Sequence, residues 1–264
     1  MQQQIMPTLF VGHGSPMNAL EDNPHTSSWR GLGEQLPQPR AILAISAHWY
    51  TRGTYVTANI RPPTLHDFHG FPPALYQCDY PAPGAPELTK EIQHLLQPLE
   101  VELGDDWGLD HGTWSVLMHM YPAAQIPTLQ LSIDATRSPE FHYRLGQQLQ
   151  PLRERGVLII GSGNVVHNLA RIDWREDAAV PSWAEGFNQT VRAALELGDH
   201  QSLIHYERAG HDAQLSVPTP EHYLPLLYIA GASTADDKVS FPTDGIELGS
   251  ISMLTALFSP QAAR

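Results

Sequence analysis

The sequence contains little cysteine and little positive charge. Cys78 is its single cysteine, so an intramolecular disulfide cannot form and a disulfide scaffold is excluded. Lys and Arg number 15 against 28 Asp and Glu, which gives a formal net charge of −13. An acidic chain without a stripe of Lys and Arg lacks the electrostatic footprint that attracts phosphate groups. We therefore expect no nucleic-acid partner.

Long hydrophobic runs are also absent from the sequence. No apolar run approaches the roughly 18–20 residues that a membrane-spanning helix needs, so we expect no membrane association. Residues 1–5 lack the basic segment that opens a secretory signal. These features are typical of a cytoplasmic protein, and the low density of charge is compatible with a monomer or a small homo-oligomer.

Proline and histidine, in contrast, are abundant, with 23 Pro and 14 His in 264 residues. The prolines are interleaved with aromatic residues, which favours long ordered loops over disorder. The segment 61–84 is the clearest example, because it is rich in Pro and aromatic residues and has no regular period. Irregular stretches of this length in compact domains are commonly functional. The segment therefore predicts an ordered lid or a pocket wall.

Short apolar runs alternate with amphipathic stretches along the chain. Continuous apolar runs predict strands that are covered on both faces, as in a parallel or mixed central sheet. The alternation of strands and helices is typical of an α/β fold, and without repeats or linkers we expect a single domain over residues 1–264. The predicted strands are 7–11, 41–46, 128–133 and 157–160, the predicted helices are 86–97, 139–155, 183–197 and 221–230, and 238–258 is predicted as further strand material.

Several histidines stand where these elements begin or end. His13, His48 and His167 follow the first, second and fourth predicted strands, His222 lies at the start of a predicted helix, and His111 precedes a glycine. Ligands of α/β proteins gather outside the carboxyl ends of the strands, and imidazole is a common ligand of transition metals. These positions therefore favour a metal site, although a buried histidine is more often a hydrogen-bonded core residue.

The remaining nine histidines carry less information. Two of them, His66 and His69, lie in the Pro-rich segment and are candidates for contact with a ligand. The others stand in polar or helical surroundings and are predicted on the surface, namely His25, His94, His119, His142, His200, His205 and His211.

Common catalytic motifs of other classes are missing. The sequence has no Gly-x-Ser-x-Gly elbow to present a nucleophilic serine. It has neither Gly-x-Gly-x-x-Gly after a strand nor Gly-x-x-x-x-Gly-Lys, so the known phosphate cradles of nucleotide sites are absent. The His-Glu-x-x-His signature of zinc proteases is absent as well.

Five short motifs occur in a characteristic order. Together they resemble the class III extradiol ring-cleavage dioxygenases, and most of all the 4,5-DOPA extradiol dioxygenase branch. The resemblance covers the chain from residue 7 to about 258, and it implies one α/β domain around a mixed central sheet flanked by helices, with a metal site at one edge of the sheet. The motifs are Gly-His-Gly-Ser-Pro-Met at 12–17, Ser-Ala-His-Trp at 46–49, Asp-His-Gly at 110–112, Ser-Gly-Asn-Val-Val-His-Asn at 162–168 and Pro-Thr-Pro-Glu-His-Tyr at 218–223.

The resemblance implies one divalent metal, with Fe(II) required for catalysis. It assigns His13 and His48 as two protein ligands. In the protocatechuate-type enzymes the third ligand is a Glu, whereas here the sequence reads Pro-Glu-His, so His222 is our choice and Glu221 is the competitor or a supporting partner. A site made of histidines also suits Zn(II), which can be bound in the isolated protein.

The resemblance also implies roles for further residues. His167 matches the family's acid/base histidine and can bind the metal as a fourth ligand in the resting site. His111 is expected to hydrogen-bond the substrate or the oxygen, while Ser15 and Tyr223 are expected to line the substrate pocket. The implied reaction opens a DOPA-like catechol between carbons 4 and 5 and inserts both atoms of O2.

Two other functions are compatible with the same histidines. One is a zinc-dependent hydrolase in which a metal-bound hydroxide attacks the substrate. The other is a non-enzymatic protein that binds a metal or a catechol. Oxygen consumption distinguishes the dioxygenase from both of them.

Overall fold

A computed structural model describes residues 5–175 and 178–261 of the protein. Its strands and helices alternate along the chain, as the apolar runs predict. The strands are β1 (Thr8–Gly12), β2 (Ala41–Ser46), β3 (Tyr50–Thr51), β4 (Thr54–Thr57), β5 (Val101–Gly104), β6 (Thr128–Gln130), β7 (Ile133–Asp134), β8 (Val157–Gly163), β9 (Asp237–Thr243), β10 (Ile246–Glu247), β11 (Ile251–Ser252) and β12 (Thr255–Pro260).

The α-helices lie between these strands. Within the two described ranges, none of them is long and apolar enough to cross a membrane. The helices are α1 (Pro24–Gln35), α2 (Pro86–Leu95), α3 (His111–Met120), α4 (Pro139–Leu149), α5 (Pro151–Glu154), α6 (Ser182–Leu197), α7 (His200–Ile204), α8 (His211–Ser216) and α9 (Leu224–Ala232), with short 3-10 turns at Pro16–Ala19, Leu75–Gln77, Leu169–Arg171 and Tyr206–Ala209.

The centre of the fold is a six-stranded mixed sheet in the order β6-β2-β8-β1-β12-β9. The first four of these strands are parallel to one another, and β12 and β9 complete the sheet in antiparallel pairing. Every residue of β1, β2 and β8 is buried, which is typical of strands with both faces covered. The predicted α/β fold with a mixed central sheet is therefore confirmed.

Two hydrophobic cores lie on the two faces of this sheet. Successive side chains of a strand point to opposite faces, so Phe10 packs into one core while its neighbours Leu9 and Val11 pack into the other. Helices α4, α6 and α9 contribute to the first core, and α1 and α3 contribute to the second. The carboxyl ends of β1, β2 and β8 consequently open between two layers of helices.

Proline and turn chemistry account for where the observed elements differ from the predicted ones. The predicted helix 139–155 is split, with α4 ending at Leu149 and α5 starting at Pro151, since proline lacks the N–H that a continuous helix uses. The predicted strand 128–133 is also split, because β6 pairs with β2 whereas β7 pairs with β3. The helix predicted over 221–230 begins at Leu224, which leaves His222 in the preceding turn.

Four of the described helices, α1, α3, α7 and α8, were not predicted, and the longer two, α1 and α3, both begin at a capping side chain. Asn23 accepts hydrogen bonds from the backbone of α1 and forms a capping box with Thr26, a motif that satisfies otherwise unpaired N–H groups. Asp110 caps α3 through the Thr113 N–H. His111 is therefore the first residue of α3, which places a motif histidine at a helix N-terminus.

The surface prediction for the less informative histidines is wrong for His142. Its side chain is fully buried, and its Nδ1 lies 2.9 Å from the Tyr228 hydroxyl oxygen. His94 and His211 are exposed as predicted, and the other four, His25, His119, His200 and His205, are partly buried. The amphipathic pattern of α4 did not reveal His142, because its burial depends on packing against Tyr228, which lies 86 residues away in the sequence.

Candidate metal centre

The ends of three central strands bring the histidine motifs together. The His13 N–H, just beyond β1, donates to the Gly163 carbonyl oxygen at 3.1 Å. The Ala47 N–H, beside His48 and beyond β2, donates to the Ser162 carbonyl oxygen at 3.0 Å. These backbone bonds fix both motifs against β8.

His222 reaches the same place from another part of the chain. The Asn164 N–H, at the end of β8, donates to the His222 carbonyl oxygen at 2.9 Å. A Cβ at Gly163 would lie only 2.1 Å from this oxygen, so the absence of a side chain at Gly163 allows the approach. The turn before α9 is therefore held against the sheet.

The imidazoles of His13, His48 and His222 form a compact triad. Their candidate ligand atoms lie within 4.8 Å of one another, and the Nε2 atoms of His13 and His48 are 3.1 Å apart. Metal–nitrogen bonds of about 2.1 Å place neighbouring ligand nitrogens about 3 Å apart. The spacing of these two nitrogens therefore matches ligation of one ion.

A serine determines which nitrogen of His13 carries the proton. The Ser162 hydroxyl donates its only proton to the Gly112 carbonyl oxygen at 2.5 Å. Its Oγ also lies 2.9 Å from His13 Nδ1, and it must accept the Nδ1–H there. In the neutral ring, Nε2 of His13 then has a free lone pair directed at the triad.

Asp67 of the Pro-rich segment contacts two histidines of the site. Its Oδ2 lies 3.4 Å from His48 Nδ1 and 3.0 Å from His111 Nδ1, and its Oδ1 accepts the His111 backbone N–H at 2.9 Å. Burial opposes ionisation of Asp67, but the hydrogen bonds from the side chain and backbone of His111 outweigh it and hold the pKa of the carboxyl below its ordinary value. The sequence analysis missed Asp67, although it lies in the segment predicted as a pocket wall.

The three triad histidines are neutral. Burial, followed by repulsion from the neighbouring imidazoles, lowers the pKa of His13, His48 and His222 well below 6.5. Neutral imidazole is the form that binds metals. The 3.1 Å between the His13 and His48 Nε2 atoms is the spacing of neighbouring ligands of one ion, so this donor set of neutral imidazoles fits a divalent metal.

His167 lies on the outer side of His222. Their rings are stacked, with centroids 3.5 Å apart and planes inclined by 8°. The backbone N–H of His167 donates to the Ser216 carbonyl oxygen. Burial lowers the pKa of His167 to about 4, so its ring is neutral at physiological pH. Its candidate ligand nitrogen lies within 4.8 Å of the ligand atoms of Glu221 and His222, and it is not part of the set formed by His13, His48 and His222.

Glu221 and His222, the two candidates for third ligand, lie side by side. Of these two residues, only His222 has a ligand atom in the set that lies within 4.8 Å together with those of His13 and His48. Glu221 Oε1 accepts the Thr219 hydroxyl at 2.8 Å and lies 3.3 Å from His222 Nδ1. The geometry therefore makes Glu221 a hydrogen-bond partner of His222.

The first turn of α3 is built around a buried carboxyl. Asp110 accepts hydrogen bonds from the Thr113 N–H and the Gln130 side-chain amide, and burial raises the pKa of Asp110 to about 6. Gly112 follows His111 and lies so close to the site that a Cβ there would meet Ser46 Oγ at 2.8 Å. The helix N-terminus thus packs directly against the metal-site residues.

The Pro-rich segment 61–84 covers this region with aromatic rings. The Phe68 ring lies edge-on to His111, with centroids 5.6 Å apart, and it also contacts Phe71, Tyr76 and Trp114. His66 Nε2 lies 3.0 Å from the Cys78 carbonyl oxygen, a contact within the segment itself, while His69 is exposed. The segment is therefore an aromatic wall beside His111.

The structure corrects the expectation for Tyr223 and leaves Ser15 close to the site. Tyr223 is fully buried, its hydroxyl donates to the Leu203 carbonyl oxygen at 3.0 Å, and its ring packs 4.3 Å from that of Tyr206. It belongs to the core and does not line a pocket. Ser15 is partly buried two residues beyond His13, where its Oγ accepts the Met17 N–H, and its contact with substrate stays a prediction.

Comparison with known proteins gives a consistent result. The family model described as the catalytic LigB subunit of aromatic ring-opening dioxygenase matches residues 7–259. An Escherichia coli (strain K12) protein named 4,5-DOPA dioxygenase extradiol is 50% identical over 260 residues, which cover 97% of this chain and 95% of that protein. A Beta vulgaris protein of the same name is 40% identical over 246 residues and 90% of each chain.

A solved structure shares the fold. The crystal structure of an uncharacterized protein from Escherichia coli K12 superposes with a TM-score of 0.84 at 46% sequence identity, covering 96% of this chain and 99% of that one. The family match spans the strand ends and turns that carry the histidines. The chain therefore belongs to the LigB family of aromatic ring-opening dioxygenases and is an extradiol ring-cleavage dioxygenase.

Proposed function

We propose that the protein opens the ring of a DOPA-like catechol between carbons 4 and 5 and inserts both atoms of O2. The observation that carries this proposal is the triad of buried imidazoles, whose candidate ligand atoms lie within 4.8 Å of one another and two of whose Nε2 atoms lie 3.1 Å apart. Two further histidines, His111 and His167, lie next to the triad. The names of the E. coli and Beta vulgaris relatives support DOPA as the type of substrate.

His13, His48 and His222 would hold one Fe(II). When bound, Fe(II) supplies coordination positions for the two catechol oxygens and for O2, and it transmits electron density from the ring to O2. The same imidazoles suit Zn(II), which has no redox chemistry. Glu221 supports the site by holding His222 through Nδ1.

His167 is the proposed acid/base residue. Its ring is neutral at physiological pH because burial lowers its pKa to about 4, so a nitrogen lone pair can accept the proton of a catechol hydroxyl. The protonated ring can return this proton while the aromatic ring opens. A proton transfer of this kind commonly contributes a factor of about 10² to 10⁴ in rate.

His111 is the proposed hydrogen-bonding partner of the substrate or of oxygen. Its backbone N–H and ring Nδ1 are both occupied by Asp67, which leaves Nε2 for this contact. Phe68 packs against the His111 ring, and the aromatic wall limits the access of water to the reacting groups. Ser15 is proposed to line the same pocket.

Oxygen uptake tests the proposal. The protein would be loaded with Fe(II) without oxygen and then mixed with O2 and DOPA, dopamine or simple catechols. We expect oxygen consumption and a yellow ring-opened product, with both labelled atoms incorporated from ¹⁸O2 and the position of cleavage read by NMR. Zn(II)-loaded protein is the control and should consume no oxygen.

Two outcomes would contradict the proposed dioxygenase reaction, and a third would contradict only its ring position. Hydrolysis of an added ester or amide by the Zn(II)-loaded protein, without oxygen uptake in any catechol assay, would indicate a zinc hydrolase. Tight binding of catechols to the Fe(II)-loaded protein without turnover would indicate a binding protein. Cleavage at a different ring position would retain the dioxygenase but replace the proposed 4,5 specificity.

We also propose a cytoplasmic protein that is a monomer or a small homo-oligomer. Its single cysteine, Cys78, is buried and unpaired, which suits a reducing compartment. Light scattering coupled to size-exclusion chromatography measures the oligomeric state directly.

A further inference from the structure

A cavity separate from the metal triad lies between α6 and the chain that follows it. Its volume is about 290 Å³, and residues of α6, of α7 and of the 3-10 turn Tyr206–Ala209 line it. A cavity of about 150 Å³ is enough to hold benzene, whereas pockets for drug-sized ligands begin at about 300 Å³. The cavity therefore has room for one substituted ring and not for a ligand as large as a nucleotide.

The floor of this cavity is apolar and partly aromatic. We use the word floor for four of its lining residues that are buried, namely Phe187, Val191, Leu203 and Tyr206. The rings of Phe187 and Tyr206 have centroids 6.5 Å apart and planes inclined by 69°. Aromatic rings pack favourably against further rings, so this floor fits a ligand with a flat apolar ring.

The rim of the cavity is polar and carries an unpaired positive charge. Thr190, Gln201 and Arg208 line the cavity and are exposed. The lining residues, all of which lie within 178–261, include no Asp or Glu, although the whole chain has a net charge of −13. Arg192 of α6 pairs with Asp244, whereas no carboxylate of residues 5–175 and 178–261 pairs with Arg208.

This combination of floor and rim favours one class of ligand. A guanidinium group presents parallel N–H donors that match the two oxygens of a carboxylate. Arg208 is therefore placed to bind a carboxylate at the rim while an attached ring packs on the floor. An amine of the same size would meet a like charge there.

The floor also contacts the chain next to the metal triad. The Tyr206 ring lies 4.3 Å from the ring of Tyr223, and the Tyr223 hydroxyl donates to the Leu203 carbonyl oxygen at 3.0 Å. Tyr223 directly follows His222 in the sequence. A ligand that packs on Tyr206 and Leu203 therefore restrains the turn that carries His222.

We propose that this cavity is a regulatory site for a small aromatic carboxylate, whose ring packs on Phe187 and Tyr206 and whose carboxylate binds Arg208. Binding of the carboxylate does not depend on the function proposed above. Its regulatory effect does rest on that function, because it acts through His222 as a metal ligand.

Benzoate is the probe for this site. It would be titrated into full-length, metal-free, ¹⁵N-labelled protein while the backbone amide signals are followed by NMR. We expect saturable shifts of amides within residues 187–209 and a dissociation constant of about 1 mM, which is reasonable for a ligand of this size. Benzylamine, which has a similar ring and the opposite charge, should give no saturable shift.

Two substitutions of exposed residues test the floor and the rim separately. Arg208→Gln removes the charge, and we expect benzoate to bind about fivefold more weakly, the effect of an exposed ion pair. Thr190→Trp places a large ring at the mouth of the cavity and should abolish binding. Circular dichroism and thermal melting establish that each variant is folded.

Each substitution has a matched control. Arg52 is exposed and has no ion-pair partner within residues 5–175 and 178–261, so Arg52→Gln makes the same chemical change away from the cavity. Gln189 is exposed on α6, next to Thr190, and does not line the cavity. Arg52→Gln and Gln189→Trp should both bind benzoate as the unsubstituted protein does.

The regulatory effect is measured as the affinity for Zn(II), by competition with a chelator, with and without saturating benzoate. Because benzoate restrains the turn that carries His222, we expect it to tighten Zn(II) binding about fivefold or more, a common size for coupling between two sites. Benzoate can also ligate bound Zn(II) directly. The effect of the cavity must therefore disappear in Thr190→Trp and persist in Gln189→Trp.

Three results would overturn the binding site. The first is benzoate shifts that do not saturate or that lie around the triad histidines instead of within 187–209. The second is equal binding of benzylamine, which would reject the carboxylate and the role of Arg208. The third is unchanged binding of benzoate by Thr190→Trp.

Failure of the regulatory effect and failure of the proposed function give different patterns. If benzoate binds in the cavity but leaves the Zn(II) affinity unchanged, the regulatory role is rejected. If His222→Ala binds Zn(II) as tightly as the unsubstituted protein, the proposed ligand set is wrong, and binding of benzoate within 187–209 is unaffected by that result.

Discussion

Substitution of Gly112 by alanine is a sharp test of the packing that holds the metal site. Gly112 lies in the first turn of α3, directly after His111. A Cβ added there would lie 2.8 Å from Ser46 Oγ, 3.0 Å from His48 Cδ2 and 3.2 Å from Ser162 Oγ. Ordinary contacts between a Cβ and a heavy atom are longer than 3.4 Å, so all three neighbours must move.

The expected cost follows from this overlap. Extra atoms in a well-packed interior commonly cost about 1–3 kcal/mol. The movement also reaches two of the proposed ligands. Ser162, which contacts His13 Nδ1, must move, and the His48 ring is itself displaced. We therefore expect Gly112→Ala to lower both the free energy of unfolding and the affinity for Zn(II), the latter by about tenfold or more.

Gly31→Ala is the matched control for this substitution. Gly31 lies inside α1, and a Cβ there would meet only Gln35 Nε2, at 3.6 Å. Because alanine is the better helix former, the control should gain up to about 1 kcal/mol in stability. Both variants share this propensity gain, so the difference in their stabilities reports the overlap at Gly112.

Urea denaturation and Zn(II) competition measure the two effects. The reasoning is refuted if Gly112→Ala is as stable as Gly31→Ala and also binds Zn(II) with unchanged affinity. Loss of stability with unchanged Zn(II) affinity would show that the neighbours relax without moving the imidazoles, and would reject the link between α3 packing and the metal site.

Three further predictions concern single side chains. His167→Ala should bind Zn(II) within about twofold of the unsubstituted protein but open catechols about 10² to 10⁴ times more slowly with Fe(II); unchanged turnover would reject the acid/base role. Ser162→Ala should weaken Zn(II) binding about 10- to 100-fold, because His13 Nδ1 loses its acceptor; unchanged affinity would show that Ser162 does not orient the ring. Burial, as the main cause, lowers the pKa of His142 from 6.5 to about 4, so its contribution to stability is complete above pH 6.5 and is lost as the pH falls towards 4, when only the unfolded chain takes up the proton. The loss is about 2 kcal/mol at pH 5. His142→Gln should remove that part of the pH dependence in urea denaturation and exposed His94→Gln should not; equal pH profiles for the two variants would contradict the assignment.

Much of the fold can be predicted from local sequence patterns. Continuous apolar runs locate β1, β2 and β8, because strands covered on both faces need apolar side chains on both sides. Helix boundaries that are set by proline and by capping residues are local as well. The splitting of 139–155 at Pro151 and the start of α1 after Asn23 are examples. The pairing of β7 with β3 is different, since it depends on how the chain bends after β6.

The site likewise contains residues that local sequence patterns locate and residues that they do not. The positions of His13, His48 and His167 at strand ends follow from the apolar pattern, and the motif order adds His111 and His222. The local pattern misplaced Tyr223, because a residue next to His222 in the chain can face the opposite side, and Tyr223 faces the core.

The sequence by itself determined the class of fold and the motif histidines, because strand periodicity and motif order are properties of neighbouring residues. Only the tertiary structure decided which ring nitrogens face one another and which side chains contact them. Ser162 is 149 residues from His13, and Asp67 is 44 residues from His111. Contacts of this kind depend on the path of an irregular loop and on the close approach at Gly112 and Gly163, and no local period in the sequence encodes either of them.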